Sequence, residues 1–368
     1  MSAPGVRYDA TFDCWVVTDP ELVRRALREP ALSAQTLEAA TVAFLPSEVR
    51  DECAPLLDTL RRWFVTLDGE PHRRRRQAVA HLFSPRHVRA FDGALTEIAE
   101  AAVGRYAARG GDAVPAIADV VAAQGIAALL DLGGVPHERL TAWARSVSEF
   151  LATSYRADRA RAAQAALDEM AASVLERPGA LPGVAPDDPA ERLATVSMLL
   201  FGGMETTSGL VGFALWYLVA NQLSDRVAAD PSGAEAETVV ERALELLSPI
   251  GHVARLALRP VRIGDAEVPP GALVLLALHG EDVLDQPEMP ARCPAHAPAR
   301  RDHLAFGGGP HFCIGAPLAR AIAGAAVTAF ARALPSATVR ELRWRDSPTF
   351  RGPASLVLSP ETSEPDRR

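Results

Sequence analysis

The sequence of 368 residues contains no lysine, so all 38 of its basic residues are arginine. We interpret this absence as coding bias from a GC-rich genome rather than as chemistry. The 46 acidic residues give a formal net charge of −8, and an acidic balance argues against general nucleic-acid binding. Because 48% of the residues are hydrophobic and only 23% are charged, a wholly disordered chain is excluded.

Cysteine is also scarce, and its four copies (Cys14, Cys53, Cys293 and Cys313) include no C-x-x-C pair. Four such cysteines in a chain of this size do not make a disulfide framework. The first residues lack a signal-peptide pattern. No uninterrupted apolar run reaches the ~18 residues of a membrane span, and the nearest candidate is broken at Glu205. These absences predict a cytoplasmic protein that does not enter a membrane.

Helical patterns separated by Pro and Gly fill the first half and the centre of the chain. Asp19-Pro20 and Asp188-Pro189 each combine a capping residue with a proline at the first helical position. The second of these predicts a helix of roughly 45 Å that ends at about Asn221 and crosses a whole domain.

Strand signals come late and are few. Residues 261–277 predict a turn-linked pair of strands, and residues 281–302 predict an irregular loop. A further helix is expected after Cys313, up to Leu334. The length allows one or two domains, and residues 359–368 are expected to form a flexible tail.

The most informative stretch, residues 306–315, reads FGGGPHFCIG, and we call it the cysteine loop. A lone cysteine is most often a small buried hydrophobe. Here, three glycines allow positive φ angles and the close approach of a flat ligand. Cys313 also precedes a helix, whose N-terminal dipole favours a thiolate. Without a second Cys or His at ligand spacing, the loop suits a single axial bond to haem iron.

The cysteine loop resembles the haem-binding signature of the cytochrome P-450 family, F-x-x-G-x-x-x-C-x-G, through Phe306, Gly309, Cys313 and Gly315. The resemblance implies a mainly α fold: a single helical prism with a small β-rich lobe, spanning residues 1–368. It also implies haem b as cofactor, with Cys313 as the ligand of its iron.

Gly202-Gly203-Met204-Glu205-Thr206 interrupts the long apolar helix. Two helical glycines cost about 1 kcal/mol each relative to alanine. Close helix packing, with Thr206 bonded back to a carbonyl, would explain them. The stretch is also similar to the oxygen-activation motif of the family. That likeness makes Glu205 the acid that passes protons and Thr206 the alcohol that holds a water.

Four basic residues match the family's contacts to the haem propionates: His72, Arg76, Arg255 and His311. His72 and Arg76 lie one helical turn apart on one face, and a solvated basic face is the alternative reading. Arginine suits a carboxylate because its planar fork binds in bidentate fashion.

A possible electron-donor surface is formed by further arginines: Arg73, Arg74, Arg75, Arg86 and Arg89. They would present a basic patch to an acidic ferredoxin, served by a ferredoxin reductase.

The chain departs from the family before Ser248-Pro249. Where members carry Glu-x-x-Arg, this sequence has Arg242-Ala-Leu-Glu245, with the two charges exchanged. We hypothesise that Glu245 pairs with both Arg242 and Arg292 in a rearranged triad. The chain is also short for the family, chiefly between Ser173 and Glu191.

The resemblance implies a haem-thiolate monooxygenase that oxidises an organic small molecule, by hydroxylation or oxidative coupling, in bacterial natural-product biosynthesis. Two alternatives stay open. One is a haem enzyme with peroxide-driven, coupling or dehydrating chemistry. The other is a catalytically silent haem-binding scaffold, which the exchanged ion pair suggests and the Glu205-Thr206 pair opposes.

Overall fold

Helices account for most of the computed structural model, which describes residues 5–153, 156–175, 188–279, 302–347 and 349–359. Within these residues the α-helices are α1 (Pro20–Ala26), α2 (Leu37–Ala40), α3 (Ser47–Glu52), α4 (Ala54–Arg61), α5 (Gly69–Ala80), α6 (Pro85–Arg89), α7 (Asp92–Arg109), α8 (Asp119–Leu129), α9 (His137–Ala152), α10 (Ala157–Leu175), α11 (Pro189–Ala220), α12 (Ser224–Ala229), α13 (Ala234–Leu246) and α14 (Ala316–Ala333).

The strands are short and form three sheets. They are β1 (Val6–Asp9), β2 (Cys14–Val17), β3 (Leu32–Ser33), β4 (His252–Ala257), β5 (Val261–Ile263), β6 (Ala266–Val268), β7 (Leu273–Ala277), β8 (Thr338–Trp344) and β9 (Pro353–Ser359). The largest sheet has the order β1-β2-β7-β4-β3. Its β2–β7 pair is parallel and its other pairs are antiparallel. The pairs β5–β6 and β8–β9 are separate antiparallel hairpins.

The predicted strand pair over residues 261–277 is wrong in its pairing. The hairpin is formed by β5 and β6 alone, and β7 instead joins the larger sheet between β2 and β4. The side chains of β7 alternate between half-buried and buried positions. Such a strand is better satisfied by two neighbours than by one edge partner. The predicted loop over 281–302 lies outside the described residues except for Asp302, as does the tail after Ser359.

Helix α11 is the axis of the helical part. The Asp188 carboxylate accepts hydrogen bonds from the amides of Ala190 (2.9 Å) and Glu191 (3.3 Å), which confirms the predicted start. The helix runs to Ala220, about 48 Å at 1.5 Å per residue, and contacts α4, α8, α9, α10, α13 and α14. Among the described helices it alone is long and apolar enough to cross a membrane, but 72% of its most apolar window is buried, as in a core helix.

Two hydrophobic clusters divide the core. The larger one joins the helices, from α2 to α14, with buried residues of β9. The smaller one lies between α1 and the sheet that contains β2, β4 and β7. This arrangement confirms the expected helical prism with a small β-rich lobe.

Glycines let the chain between β8 and β9 touch the backbone of α11. A Cβ atom on Gly209 would lie 2.8 Å from the carbonyl oxygen of Arg351, and one on Gly352 would lie 2.9 Å from Cα of Gly209. Gly352 has φ +142°, a conformation that suits glycine. The β8–β9 hairpin is therefore held against α11 one turn after Glu205.

Substitution of Gly209 by alanine is expected to destabilise the protein by about 1–3 kcal/mol, because the new methyl group must displace backbone atoms. Gly324 of α14 is the matched control, since a Cβ atom there would meet nothing within 4 Å. Gly324→Ala should stabilise by about 0.5–1 kcal/mol through helix propensity. Urea unfolding measures both free energies, and equal shifts for the two variants would contradict the packing.

Candidate active site

The cysteine loop is built on α1 and runs into α14. The backbone amide of Cys313 donates to the carbonyl oxygen of Phe306 at 2.9 Å. Gly307 and Gly309 have φ angles of +67° and +65°, as the three-glycine run predicts. A Cβ atom on Gly309 would overlap the carbonyl oxygen of Leu27. The tight turn is thus required by packing against α1 as well as by the loop's own shape.

The sulfur of Cys313 is surrounded by donors. The amides of Gly315 and Ala316 donate to it, and Arg76 and Arg320 add positive charge, yet burial outweighs all of them and raises the pKa of the thiol. A bound metal cation deprotonates a coordinating thiol outright, so the loop fits a metal ligand better than a free nucleophile.

Cys313 would be a lone protein ligand. Among the described residues, no three His, Cys, Asp or Glu side chains converge on a metal position. A metal bound through one thiolate must bring its other ligands with it, as haem iron does.

Three basic side chains lie together beside the cysteine loop: His72 of α5, Arg255 of β4 and His311, which we call the basic cluster. The rings of His72 and His311 have centroids 4.2 Å apart. Nε2 of His72 is buried with no hydrogen-bond partner in the described part of the chain. Arg255 is 7% exposed, and its guanidinium donates to the Ala254 carbonyl at 2.8 Å.

The basic cluster has one carboxylate, that of Asp68, beside its three basic side chains. Burial, with the charges of His72 and Arg255, lowers the pKa of His311 to about 4. Burial also lowers the pKa of Arg255, while Asp68 opposes that shift. Asp68, which the sequence patterns did not single out, lies 3.2 Å from Nε2 of His311 and accepts from Ser33 Oγ at 2.5 Å. Burial disfavours the charged forms of these basic side chains, and a further anion beside them would stabilise those forms. The cluster therefore fits the carboxylates of a haem.

Arg76 does not hydrogen-bond to the residues of the basic cluster and instead contacts the cysteine loop. Its Nη2 donates to the carbonyl oxygen of Phe312 at 2.6 Å, which places the guanidinium against the cysteine loop. Of the predicted basic patch, Arg75 turns inward and pairs with Glu191 at 2.5 Å. The other four arginines, Arg73, Arg74, Arg86 and Arg89, are exposed.

The two glycines at the centre of α11 differ in their surroundings. A Cβ atom on Gly203 would lie 2.9 Å from the Ile126 side chain of α8, whereas one on Gly202 would meet nothing within 4 Å. Helix packing therefore explains Gly203 only. Oγ1 of Thr206 donates to the Gly202 carbonyl at 2.8 Å, as the packing alternative predicted, and its lone pairs stay available for a water.

Glu205 forms an ion pair with Arg345, which follows β8. Both side chains are half-buried. No local sequence pattern predicts Arg345 as the partner of Glu205, because 140 residues separate the two.

The exchanged charges on α13 form the expected pair, since Nη1 of Arg242 donates to Glu245. The proposed third member, Arg292, lies outside the described residues, so the triad stays a hypothesis. Tyr217 of α11 also bonds the Arg242 guanidinium and, with Glu245, raises its pKa against the effect of burial.

A second buried ion cluster, absent from the sequence-based predictions, joins α13 to α14. The two carboxylate oxygens of Glu241 accept hydrogen bonds from Arg320 at 2.6 Å and 3.2 Å. Nε2 of His303 lies 3.4 Å from Oε2 of the same carboxylate. The Arg320 guanidinium stacks over the ring of Phe306 at 4.5 Å. Glu241 is thereby connected to the cysteine loop.

Comparison with known proteins shows which class of protein has this fold and sequence. No family model matches the chain. It is 30% identical to the cytochrome P-450 monooxygenase DoxA of Streptomyces sp. (strain C5), over 90% of this chain and 85% of DoxA. It is 29% identical to cytochrome P-450 107B1 of Saccharopolyspora erythraea, over 95% of this chain and 89% of the relative.

Solved structures agree in fold. P-450BioI in complex with an acyl carrier protein has a TM-score of 0.82 at 20% identity, covering 97% of this chain and 95% of its own. Epothilone D-bound P-450epoK has a TM-score of 0.82 at 20% identity, covering 98% and 94%. The chain belongs to the cytochrome P-450 family. It is therefore a haem-dependent oxidoreductase of the monooxygenase class that acts on small molecules.

Replacement of Glu241 by glutamine is expected to lower the free energy of unfolding by about 2 kcal/mol at pH 7, because Arg320 loses a buried carboxylate. Burial opposes ionisation of Glu241, but the bonds from His303 and Arg320 prevail and lower its pKa from 4.5 to about 2. This stabilisation is present above the unfolded-state pKa and is lost as the pH falls toward the folded-state value.

The difference between wild type and Glu241→Gln in urea unfolding should therefore shrink as the pH is lowered from 7 toward 3. Glu341→Gln, at an exposed position of β8, controls for loss of a carboxylate alone. A difference that does not vary with pH would contradict the role of the charge.

Proposed function

We propose that Cys313 is the single protein ligand of haem b iron and that His72, Arg76, Arg255 and His311 hold the haem propionates. The observation that carries this proposal is the buried basic cluster beside a cysteine whose sulfur accepts two amide hydrogens. Such a cluster is stabilised by carboxylates, and such a thiol by a metal cation.

The other residues of the haem-binding signature, Phe306, Gly309 and Gly315, would shape the cysteine loop around the cofactor. Phe306 packs under the Arg320 guanidinium, Gly309 lets the turn approach α1, and Gly315 leaves ordinary contact distance (3.8 Å) between its Cβ position and the Cys313 sulfur. The sequence has no C-x-x-C-H motif for covalent haem attachment, which supports the proposal of haem b over a c-type haem.

When haem is bound, its iron activates dioxygen, and thiolate ligation favours cleavage of the O–O bond. Glu205 and Thr206 would supply the protons. Glu205 is a carboxylate at the centre of an apolar helix, and Gly202, which faces open space, leaves room beside Thr206. The Thr206 hydroxyl donates to the helix, so its oxygen accepts from a water.

We assign the chain to oxidation of an organic small molecule, by hydroxylation or oxidative coupling, in bacterial natural-product biosynthesis. Support comes from relatives that include nocardicin C N-oxygenase of Nocardia uniformis, 28% identical over 94% of this chain, as well as DoxA. Electrons would come from a cytoplasmic ferredoxin and its reductase through the exposed arginines of α5 and α6.

Replacement of Cys313 by alanine should abolish the long-wavelength Soret band that the carbon monoxide complex of the reduced, haem-loaded protein shows when a thiolate is the ligand. Cys53→Ala is the matched control, because Cys53 is a buried free thiol far from the loop in sequence. Wild type without this band would overturn the haem-thiolate assignment. A band without turnover under reductant or peroxide would favour a silent scaffold.

Neutralising Arg86 and Arg89 together to glutamine should slow haem reduction by a reduced bacterial ferredoxin about tenfold at low salt, since electrostatic steering is lost. Reduction by dithionite should not change. The control is a double variant at exposed arginines elsewhere, Arg50→Gln with Arg340→Gln. Equal ferredoxin rates in all three proteins would exclude this docking face.

A further inference from the structure

The Glu205 carboxylate is bound by Arg345, a residue that belongs to none of the sequence motifs described above. Nη1 of Arg345 binds Oε1 of Glu205, and the two side chains are 15% and 14% exposed. No other ion pair involving Glu205 is found in the described residues. At this burial a single guanidinium decides the orientation of the carboxylate.

Arg345 is itself fixed from two sides. Its backbone amide donates to the Gly352 carbonyl at 3.0 Å, and its Nε donates to the Pro353 carbonyl at 3.4 Å. The guanidinium therefore bridges the start of β9 and the carboxylate, rather than reaching Glu205 from a free surface.

Backbone contacts hold the β8–β9 hairpin, and with it Arg345, at a fixed position relative to α11. Gly352 lies against Gly209, one turn after Glu205 on α11. The amide of Arg351 donates to the Pro249 carbonyl at 2.9 Å, which attaches the same segment to the chain after α13. A guanidinium carried by backbone packed this closely has little freedom to move without the hairpin.

We propose that Arg345 is a positioning residue of the proton relay: its ion pair holds the Glu205 carboxylate in one orientation beside Thr206. The inference rests on the proposed function, in which Glu205 accepts a proton from solvent and passes it to a water bound by Thr206. No bond other than O–H bonds is made or broken in this transfer, and the proton lost by one oxygen is gained by the next.

The test uses the haem-loaded protein with a ferredoxin and ferredoxin reductase, and dioxygen as the probe. Arg345→Gln should lower the rate of dioxygen consumption about tenfold, as removal of a group that orients an active-site residue does. It should also raise the fraction of oxygen released as hydrogen peroxide and enlarge the solvent deuterium isotope effect, because proton delivery becomes slower. Arg345→Lys, which keeps the charge, should restore part of the rate.

Arg343→Gln is the matched control, since Arg343 is an exposed arginine two residues earlier on β8. It should leave all three readouts unchanged. Haem content and the carbon monoxide band verify that each variant is folded. Wild-type values for peroxide yield and isotope effect in Arg345→Gln would overturn the proposal.

A double-mutant cycle separates this inference from the proposed function. The midpoints of urea unfolding of haem-free Glu205→Gln, Arg345→Gln and the double variant should be non-additive, because the two groups contact each other. Additive midpoints would refute the pairing even in an active enzyme. A wild-type protein without the thiolate band or dioxygen turnover would refute the proposed function, and the relay with it, while the cycle would still report the ion pair.

Discussion

The burial of most of α11 is the constraint on which the rest of the structure depends. A helix that is apolar around its whole circumference must be surrounded by other elements, and each polar group on it then needs a partner inside the protein. Ser197 accepts from the indole of Trp63 at 3.0 Å, and Ser208 donates to Asp119 at 2.5 Å. Glu205 obeys the same rule through Arg345. Glu205 is thus one of several polar positions on the helix whose partners come from distant segments.

The two ends of the proposed haem site have opposite electrostatic requirements. Around Cys313, donors and guanidinium groups surround a thiol whose pKa is raised by burial. In the basic cluster, burial disfavours charge on His72, Arg255 and His311. A single ligand with a metal cation at its centre and carboxylates at its edge relieves both. This complementarity explains why groups that are individually costly to bury lie so close together.

The exchange of charges on α13 has not left that helix without connections. Arg242 and Glu245 bind each other, and the neighbouring Glu241 bonds Arg320 of α14, whose guanidinium covers Phe306 of the cysteine loop. The helix before Ser248 is therefore still connected to the cysteine loop, through Glu241, the carboxylate one position before Arg242. A single acidic residue in an amphipathic helix, such as Glu241, matches no sequence pattern that predicts an ion pair. Its role is recognised only once its partners in the fold are known.

Local patterns in the sequence determined the capped starts of α1 and α11, the extents of α11 and α14, the positive φ angles of the cysteine loop, and the family. These features depend on neighbouring residues or on a ten-residue motif. Tertiary structure alone decided that β7 leaves the β5–β6 hairpin for the larger sheet, that Arg75 turns inward to Glu191, and that Asp68 and Arg345 join the site. Asp68 and His311 are 243 positions apart in the sequence, and Glu205 and Arg345 are 140 apart. Pairing across such separations is set by how whole elements pack, and no spacing rule in the sequence encodes it.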